Sequence, residues 1–114
     1  MRQKTNREKG DSLEKLVSSL LGIKITKGSG ALNDDGDLRD DRLLIECKVK
    51  NGSNSVSIPS ALIEKVRAQA VKWRLDWLIA TQTKDKKVYV TMNIDTFAEI
   101  YYASKFPKDE GGEC

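Results

Sequence analysis

The chain contains no histidine. This one absence removes imidazole acid–base catalysis, serine–histidine triads and every zinc site built on histidine and cysteine. Cysteine is almost as scarce. Cys47 lies in an apolar stretch and Cys114 is the last residue, so the pair makes no disulfide framework, and a reducing, cytoplasmic setting is expected. No apolar run approaches the roughly 20 residues of a membrane span. Residues 1–10 are polar and basic and do not read as a signal peptide. Any chemistry must rest on carboxylates, lysine, hydroxyls and a metal held by oxygen.

What is present is a charged chain of 114 residues, 32% charged and 39% hydrophobic. That length suits one compact domain, expected over residues 1–107, with a frayed polar tail at 108–114. The net charge is only +3, but the basic residues cluster. Arg2, Lys4, Arg7 and Lys9 crowd the start, and Lys27 and Lys50 follow later. A positive field on one face would attract nucleic-acid phosphate. An excess this small also fits a merely solvated surface.

Thr5-Asn6-Arg7-Glu8 forms a capping box, and the spacing of Leu13, Leu16, Val17, Leu20 and Leu21 predicts a helix ending at Gly22. Ile23 to Lys27 reads as a short strand, and Gly28 to Gly36 as a loop. Asp37 to Arg39 and Leu43 to Val49 read as an antiparallel hairpin. Pro59 opens a second helix at its first turn, running to about Arg74 with Leu62, Val66, Ala70 and Trp73 inward. Trp77 to Thr81 and Val88 to Met92 are strands joined by a turn at Asp85-Lys86-Lys87. Asn93 or Asp95 caps a last helix carrying Ile94, Phe97, Ala98 and Tyr101. The order α-β-β-β-α-β-β-α predicts an α/β domain with a small mixed central sheet flanked by helices.

Within that frame one group stands out. Alternation puts Glu46 and Lys48 on the same face of the Leu43–Val49 strand, roughly 6–7 Å apart. If Asp40 faces Leu43, Asp37 falls opposite Glu46, with Cβ atoms about 5 Å apart. A slip of one residue would separate them. Two carboxylates so placed repel unless a cation lies between them, and such oxygen ligands suit magnesium, with manganese as a substitute. Lys48 is then placed to orient a water or offset charge on a phosphoryl transition state. Glu14 is a fourth candidate because an inward glutamate on a helix needs a partner. Ser29 could bond a phosphate from its loop, and Gln69 lies on the inward stripe of the second helix. Each residue also has a plain alternative. A Glu-x-Lys on a strand is most often an exposed face, Glu14 can edge an amphipathic helix, Ser29 can be a turn residue, and Gln69 can snorkel. Asp85-Lys86-Lys87 is a decoy of the same short pattern.

Asp37, eight intervening residues and then Glu46-Cys47-Lys48 resemble the motif of the PD-(D/E)xK nuclease superfamily. Upstream, Arg7-Glu8-Lys9-Gly10-Asp11-Ser12-Leu13-Glu14 and Gly28-Ser29-Gly30 resemble the archaeal-type Holliday junction resolvases within it. The likeness covers roughly residues 7–81. It departs at Gly36, which stands in place of the proline that names the motif, and in the longer loop from Gly28 to Gly36.

The resemblance implies a restriction-endonuclease-like core and a magnesium-dependent endonuclease that acts as a homodimer on branched DNA, as a phage-encoded or prokaryotic enzyme would. Asp37 and Glu46 would bind the metal with the Cys47 backbone carbonyl, and Glu14 would join through water. Lys48 would assist the nucleophile and Ser29 would support activity. Two other readings stay open: a restriction- or repair-like nuclease acting on ordinary duplex, and a non-catalytic DNA-binding module. Trp77, Tyr101, Tyr102 and Phe106 are the apolar candidates for a surface between subunits.

Overall fold

The computed structural model describes residues 6–26, 35–50 and 52–106. The elements are α1 (Asn6–Leu21), β1 (Leu38–Arg39), β2 (Leu43–Val49), α2 (Ser60–Lys72), β3 (Asp76–Gln82), β4 (Val88–Met92) and α3 (Ile94–Lys105). The strands form one mixed sheet in the order β1-β2-β3-β4. β1 runs antiparallel to β2, β2 parallel to β3, and β3 antiparallel to β4. A parallel neighbour needs a crossover, and α2 supplies it between β2 and β3. The fold is α/β, with a four-stranded mixed sheet and three helices.

Alternation along the central strands divides the interior in two. Ile45, Leu78 and Ala80 point to the face covered by α1, where they pack with Leu13, Val17, Ile23 and Leu38. Leu44, Trp77 and Ile79 point to the face covered by α2, where they pack with Val66 and Ala70. Both faces of β2 and β3 are therefore apolar at their amino-terminal halves, as a strand covered on two sides requires. The polar residues Glu46 and Lys48 enter only toward the carboxyl end of β2.

Several expectations need correction. The strand expected at Ile23–Lys27 is a single bridge, Ile25 to Leu38, among the described residues. β1 is two residues long, so it offers almost no ladder for a longer partner to join. On α1 the buried stripe is narrower than expected. Leu13 and Val17 are buried, but Leu16, Leu20 and Leu21 are exposed, because only the i, i+4 line reaches the sheet. Pro59 stands one residue before α2, and the helix ends at Lys72 rather than Arg74. Arg74 takes a left-handed conformation at φ 59°, and the Leu75 amide closes onto the Ala70 carbonyl at 2.8 Å. Trp77 is no surface residue; it is buried under α2. The capping residue Thr5, the segment 27–34 that holds most of the expected Gly/Ser loop, and the tail at 108–114 lie outside the described residues.

Candidate functional site

The site is built on the β1–β2 hairpin. Leu38 pairs with Ile45 and Arg39 with Leu44. The ladder ends there: the Asp37 amide donates to the Ile45 carbonyl at 2.8 Å and its carboxylate accepts the Cys47 amide at 2.7 Å, so Asp37 is tied to β2 on both sides of Glu46 rather than paired with it in the regular register the sequence suggested. The turn that sets the hairpin is local: Asp40 Oδ1 accepts from the Arg42 and Leu43 amides, both at 2.8 Å. An aspartate that bonds its own chain two and three residues on folds a tight turn without help from elsewhere.

Gly36 precedes Asp37 at φ +73°, and a Cβ built there would lie 2.8 Å from Leu44 side-chain atoms. Proline, locked near φ −65°, cannot occupy this conformation. The departure from the motif's proline thus has a physical cause in this backbone. Further upstream, Asp35 Oδ2 accepts from Trp73 Nε1 at 3.0 Å and from Lys72 Nζ at 3.1 Å. The Arg39 guanidinium lies 3.8 Å above the Trp73 ring and bonds the Asp35 carbonyl at 3.1 Å. This clamp ties the approach to Asp37 onto the end of α2. The Trp73 hydrogen bond, then the Lys72 bond and charge, hold the Asp35 carboxyl below its usual value.

Asp37 and Glu46 are both buried. One oxygen of Asp37 accepts the Cys47 amide at 2.7 Å, which fixes the side chain against β2. Burial, and then the neighbouring Asp37 charge, push the Glu46 carboxyl above its ordinary range; Lys48 and Lys65 partly oppose the rise. Lys48 Nζ lies 3.5 Å from Glu46 Oε2, and its side chain remains 43% exposed. A buried carboxylate pair with one salt-bridged lysine at its open side therefore stands on the α2 face of the sheet.

The donor set fits a magnesium-like ion. Magnesium keeps much of its water and is usually held by one or two carboxylates together with substrate phosphate. Asp37 and Glu46 supply two carboxylates, and no group of three or more cysteine, aspartate or glutamate side chains suited to a metal occurs among the described residues. Gln69 Oε1 on α2 and Thr81 Oγ1 on β3 are buried without a hydrogen-bond partner. Thr81 pairs with Lys48 across the parallel strands. Buried oxygens of this kind are costly unless something binds them.

Two clefts of about 320 Å³ each open at the carboxyl ends of β2 and β3 and share Val49 and Lys50. Ligands commonly bind at that end of an α/β sheet. One cleft is lined by Lys48, Ser57, Ile58, Leu62 and Thr81. The other is strongly basic, with Lys9 and Ser12 from α1 and Lys84 and Lys86 from the β3–β4 turn. That turn is held by Asn54 Oδ1 on the Asp85 amide at 2.9 Å, by the Ser53 carbonyl on the Lys84 amide at 2.9 Å, and by the Thr83 hydroxyl on the Asp85 carboxylate.

The structure thus brings Asp37, Glu46 and Lys48 together, and sets Lys9 and Lys50 on one basic cleft. Glu14 is buried on α1. Gln69 is on α2 with its oxygen buried. Ser29, Arg2, Lys4 and Lys27 lie outside the described residues, as does the Arg7 side chain. Lys65, Thr81, Lys84 and Lys86 were not among the sequence candidates. Lys65 precedes Gln69 by one helical turn but is exposed, so the inward stripe of α2 did not mark it. Strand alternation groups Thr81 with Trp77 and Ile79. Lys84 and Lys86 reach the basic cleft only because β3 runs parallel to β2, which local sequence does not reveal.

No family model, curated protein or solved structure matches the chain.

Proposed function

We propose that the chain is a magnesium-dependent DNA endonuclease with a restriction-endonuclease-like core, acting on branched DNA in the manner of a junction resolvase. The observation that carries this reading is that Asp37 bonds β2 on both sides of Glu46, to the Ile45 carbonyl and the Cys47 amide, while Lys48 stands 3.5 Å from the Glu46 carboxylate. The resemblance of Asp37…Glu46-Cys47-Lys48 to the PD-(D/E)xK motif supports it, and so does the lysine-lined cleft at the carboxyl ends of β2 and β3.

Asp37 and Glu46 would hold the ion, with the Cys47 carbonyl as a further oxygen. A bound divalent cation supplies Lewis-acid polarisation of the scissile phosphate. The chain's own residues do the rest. The Cys47 amide keeps one Asp37 oxygen against the strand and so aims the other. Glu46, protonated to a higher pH than an ordinary glutamate, becomes a full ligand as it ionises. Lys48, half-exposed at the edge of the pair, can reach a phosphate oxygen or orient an attacking water. Lys9, Lys50, Lys84 and Lys86 would bind neighbouring phosphates and hold the strand in place by charge.

Cleavage of a synthetic four-way junction and of a duplex with the same sequence, each with magnesium or with EDTA, tests the proposal. Magnesium-dependent, symmetric paired nicks confined to the junction are expected. Equal cutting of both substrates would favour a repair- or restriction-like nuclease. Salt-sensitive binding without any cutting would leave only a DNA-binding module.

A further inference from the structure

Lys48 lines a cleft that the cutting chemistry itself does not use. The apolar wall is Val49 at the end of β2, with Ile58, Pro59 and Leu62 at the start of α2. Ile58 and Leu62 also pack against the core under α2, which holds that wall in place. The segment leading to it is anchored as well. The Ser53 carbonyl accepts the Lys84 amide, and Asn54 Oδ1 accepts the Asp85 amide, both at 2.9 Å. The cleft is thus preformed. Its volume of about 320 Å³ lies at the lower end of the roughly 300–1,000 Å³ of small-ligand sites, room for one small ring system.

One polar atom at this cleft has no partner. Thr81 lines it and is 1% exposed, and its Oγ1 makes no hydrogen bond. Thr81 pairs with Lys48 across the parallel strands, and alternation sets both on the α2 face with Leu44, Trp77 and Ile79. A buried hydroxyl left unpaired lowers stability. Its place against an apolar wall points to a ligand that supplies the missing bond.

Charge narrows the ligand further. Lys48 and Lys50 both line the cleft, two residues apart on one strand and so roughly 6–7 Å along it. Lys48 lies against the Glu46 carboxylate, and Lys50 is shared with the basic cleft. The ligand these walls fit is a ring with apolar faces, a hydrogen-bonding edge and an anionic group. A nucleotide has all three. We propose that the cleft receives one nucleobase, unstacked from the DNA strand beside the scissile phosphate. Apolar side chains cover an extruded base as aromatic ones do, and extrusion costs least where pairing is already broken, as at a branch point. The inference rests on the nuclease reading only in taking DNA as the ligand.

2-Aminopurine at successive positions around the crossover of a four-way junction tests it. EDTA keeps binding separate from cutting. This base emits weakly when stacked and strongly when unstacked, and among the described residues no aromatic side chain lines the cleft to quench it. Saturating wild-type protein is expected to raise the emission several-fold at one position of a bound strand. Thr81→Val, which keeps the shape and removes the hydroxyl, should lower that gain and weaken binding several-fold. Without DNA the same variant should melt a few degrees higher, because it buries no unpaired oxygen; a merely structural threonine would show the opposite. An abasic residue at the responsive position should weaken binding to the wild type and not to Thr81→Val. Ser57 is exposed at the rim, so Ser57→Leu should fill the cleft and lower the gain without unfolding the chain. The absence of a responsive position overturns the inference, and so does a response that either variant leaves unchanged. Junction cutting in magnesium beside such a result would leave the nuclease reading standing alone. The expected emission changes without any cutting would keep the base site and remove the nuclease.

Discussion

The Cys47 amide donates to Asp37 Oδ2 at 2.7 Å, so a backbone group of one strand aims the carboxylate of the other. The bond spans ten residues of sequence and needs the hairpin to form. It separates two jobs that Asp37 does: bracing the strand pair, and placing a negative charge near Glu46.

Asp37→Asn divides those jobs. The amide oxygen can still accept from Cys47, but the charge is gone. Cleavage is expected to fall by at least a hundredfold while DNA affinity and thermal midpoint change little. Asp37→Ala should lose cleavage too, and in addition destabilise the fold by about 1–3 kcal/mol, because a partly buried amide loses its partner. Urea unfolding beside a cleavage assay reads both. An Asp37→Asn protein that cuts normally would remove Asp37 from the metal site.

Glu46 gives a pH dependence with a definite sign. The folded chain keeps the Glu46 proton to higher pH than the unfolded chain, whose carboxyl titrates near 4.5. The stabilisation from the protonated form is therefore complete below about pH 4.5 and is lost as pH rises through the raised folded value. In EDTA at pH 7, Glu46→Gln should raise the thermal midpoint by a few degrees by removing a buried charge beside Asp37. Millimolar magnesium should stabilise the wild-type chain and leave the Gln variant unmoved. A lower midpoint for Glu46→Gln in EDTA would contradict the crowded-carboxylate account.

Restoring the motif's proline should do harm. Gly36 needs φ +73° and has Leu44 2.8 Å from any added Cβ. Gly36→Ala is expected to cost about 1–3 kcal/mol, and Gly36→Pro more. Denaturant midpoints check this directly. A stabilised Gly36→Pro protein would mean that the approach to Asp37 takes another path.

The basic cleft predicts a salt signature. If Lys84 and Lys86 each neutralise one phosphate, changing both to alanine should lower the slope of log affinity against log salt by about 1.8. The loss should be nearly the same for any DNA sequence. An unchanged slope would place the DNA elsewhere. Both lysines are exposed turn residues, so the fold should survive the change.

Much of this architecture is legible in the chain. Leu43–Val49 and Val88–Met92 have the expected strand bounds, and Asn93 caps the last helix by accepting from the Asp95 amide at 2.8 Å. Those elements are set by local pattern and turn chemistry. The hairpin register was legible for the same reason, since Asp40 makes its turn within three residues. The misses have a common origin. The expected strand at Ile23–Lys27, the width of the α1 stripe and the burial of Trp77 depend on which partner each segment meets.

Residue order alone therefore determined the carboxylate pair, its lysine and the helices and strands that bear them, because periodicity and short turns act over a few residues. Tertiary structure alone decided the rest. Parallel pairing of β2 with β3 carried Lys84 and Lys86 to the end of β2, α1 and α2 came to cover opposite faces of the sheet, and the setting of α3 turned its apolar side to solvent. Each of these follows from packing between segments far apart in the chain, where no local pattern specifies the partner.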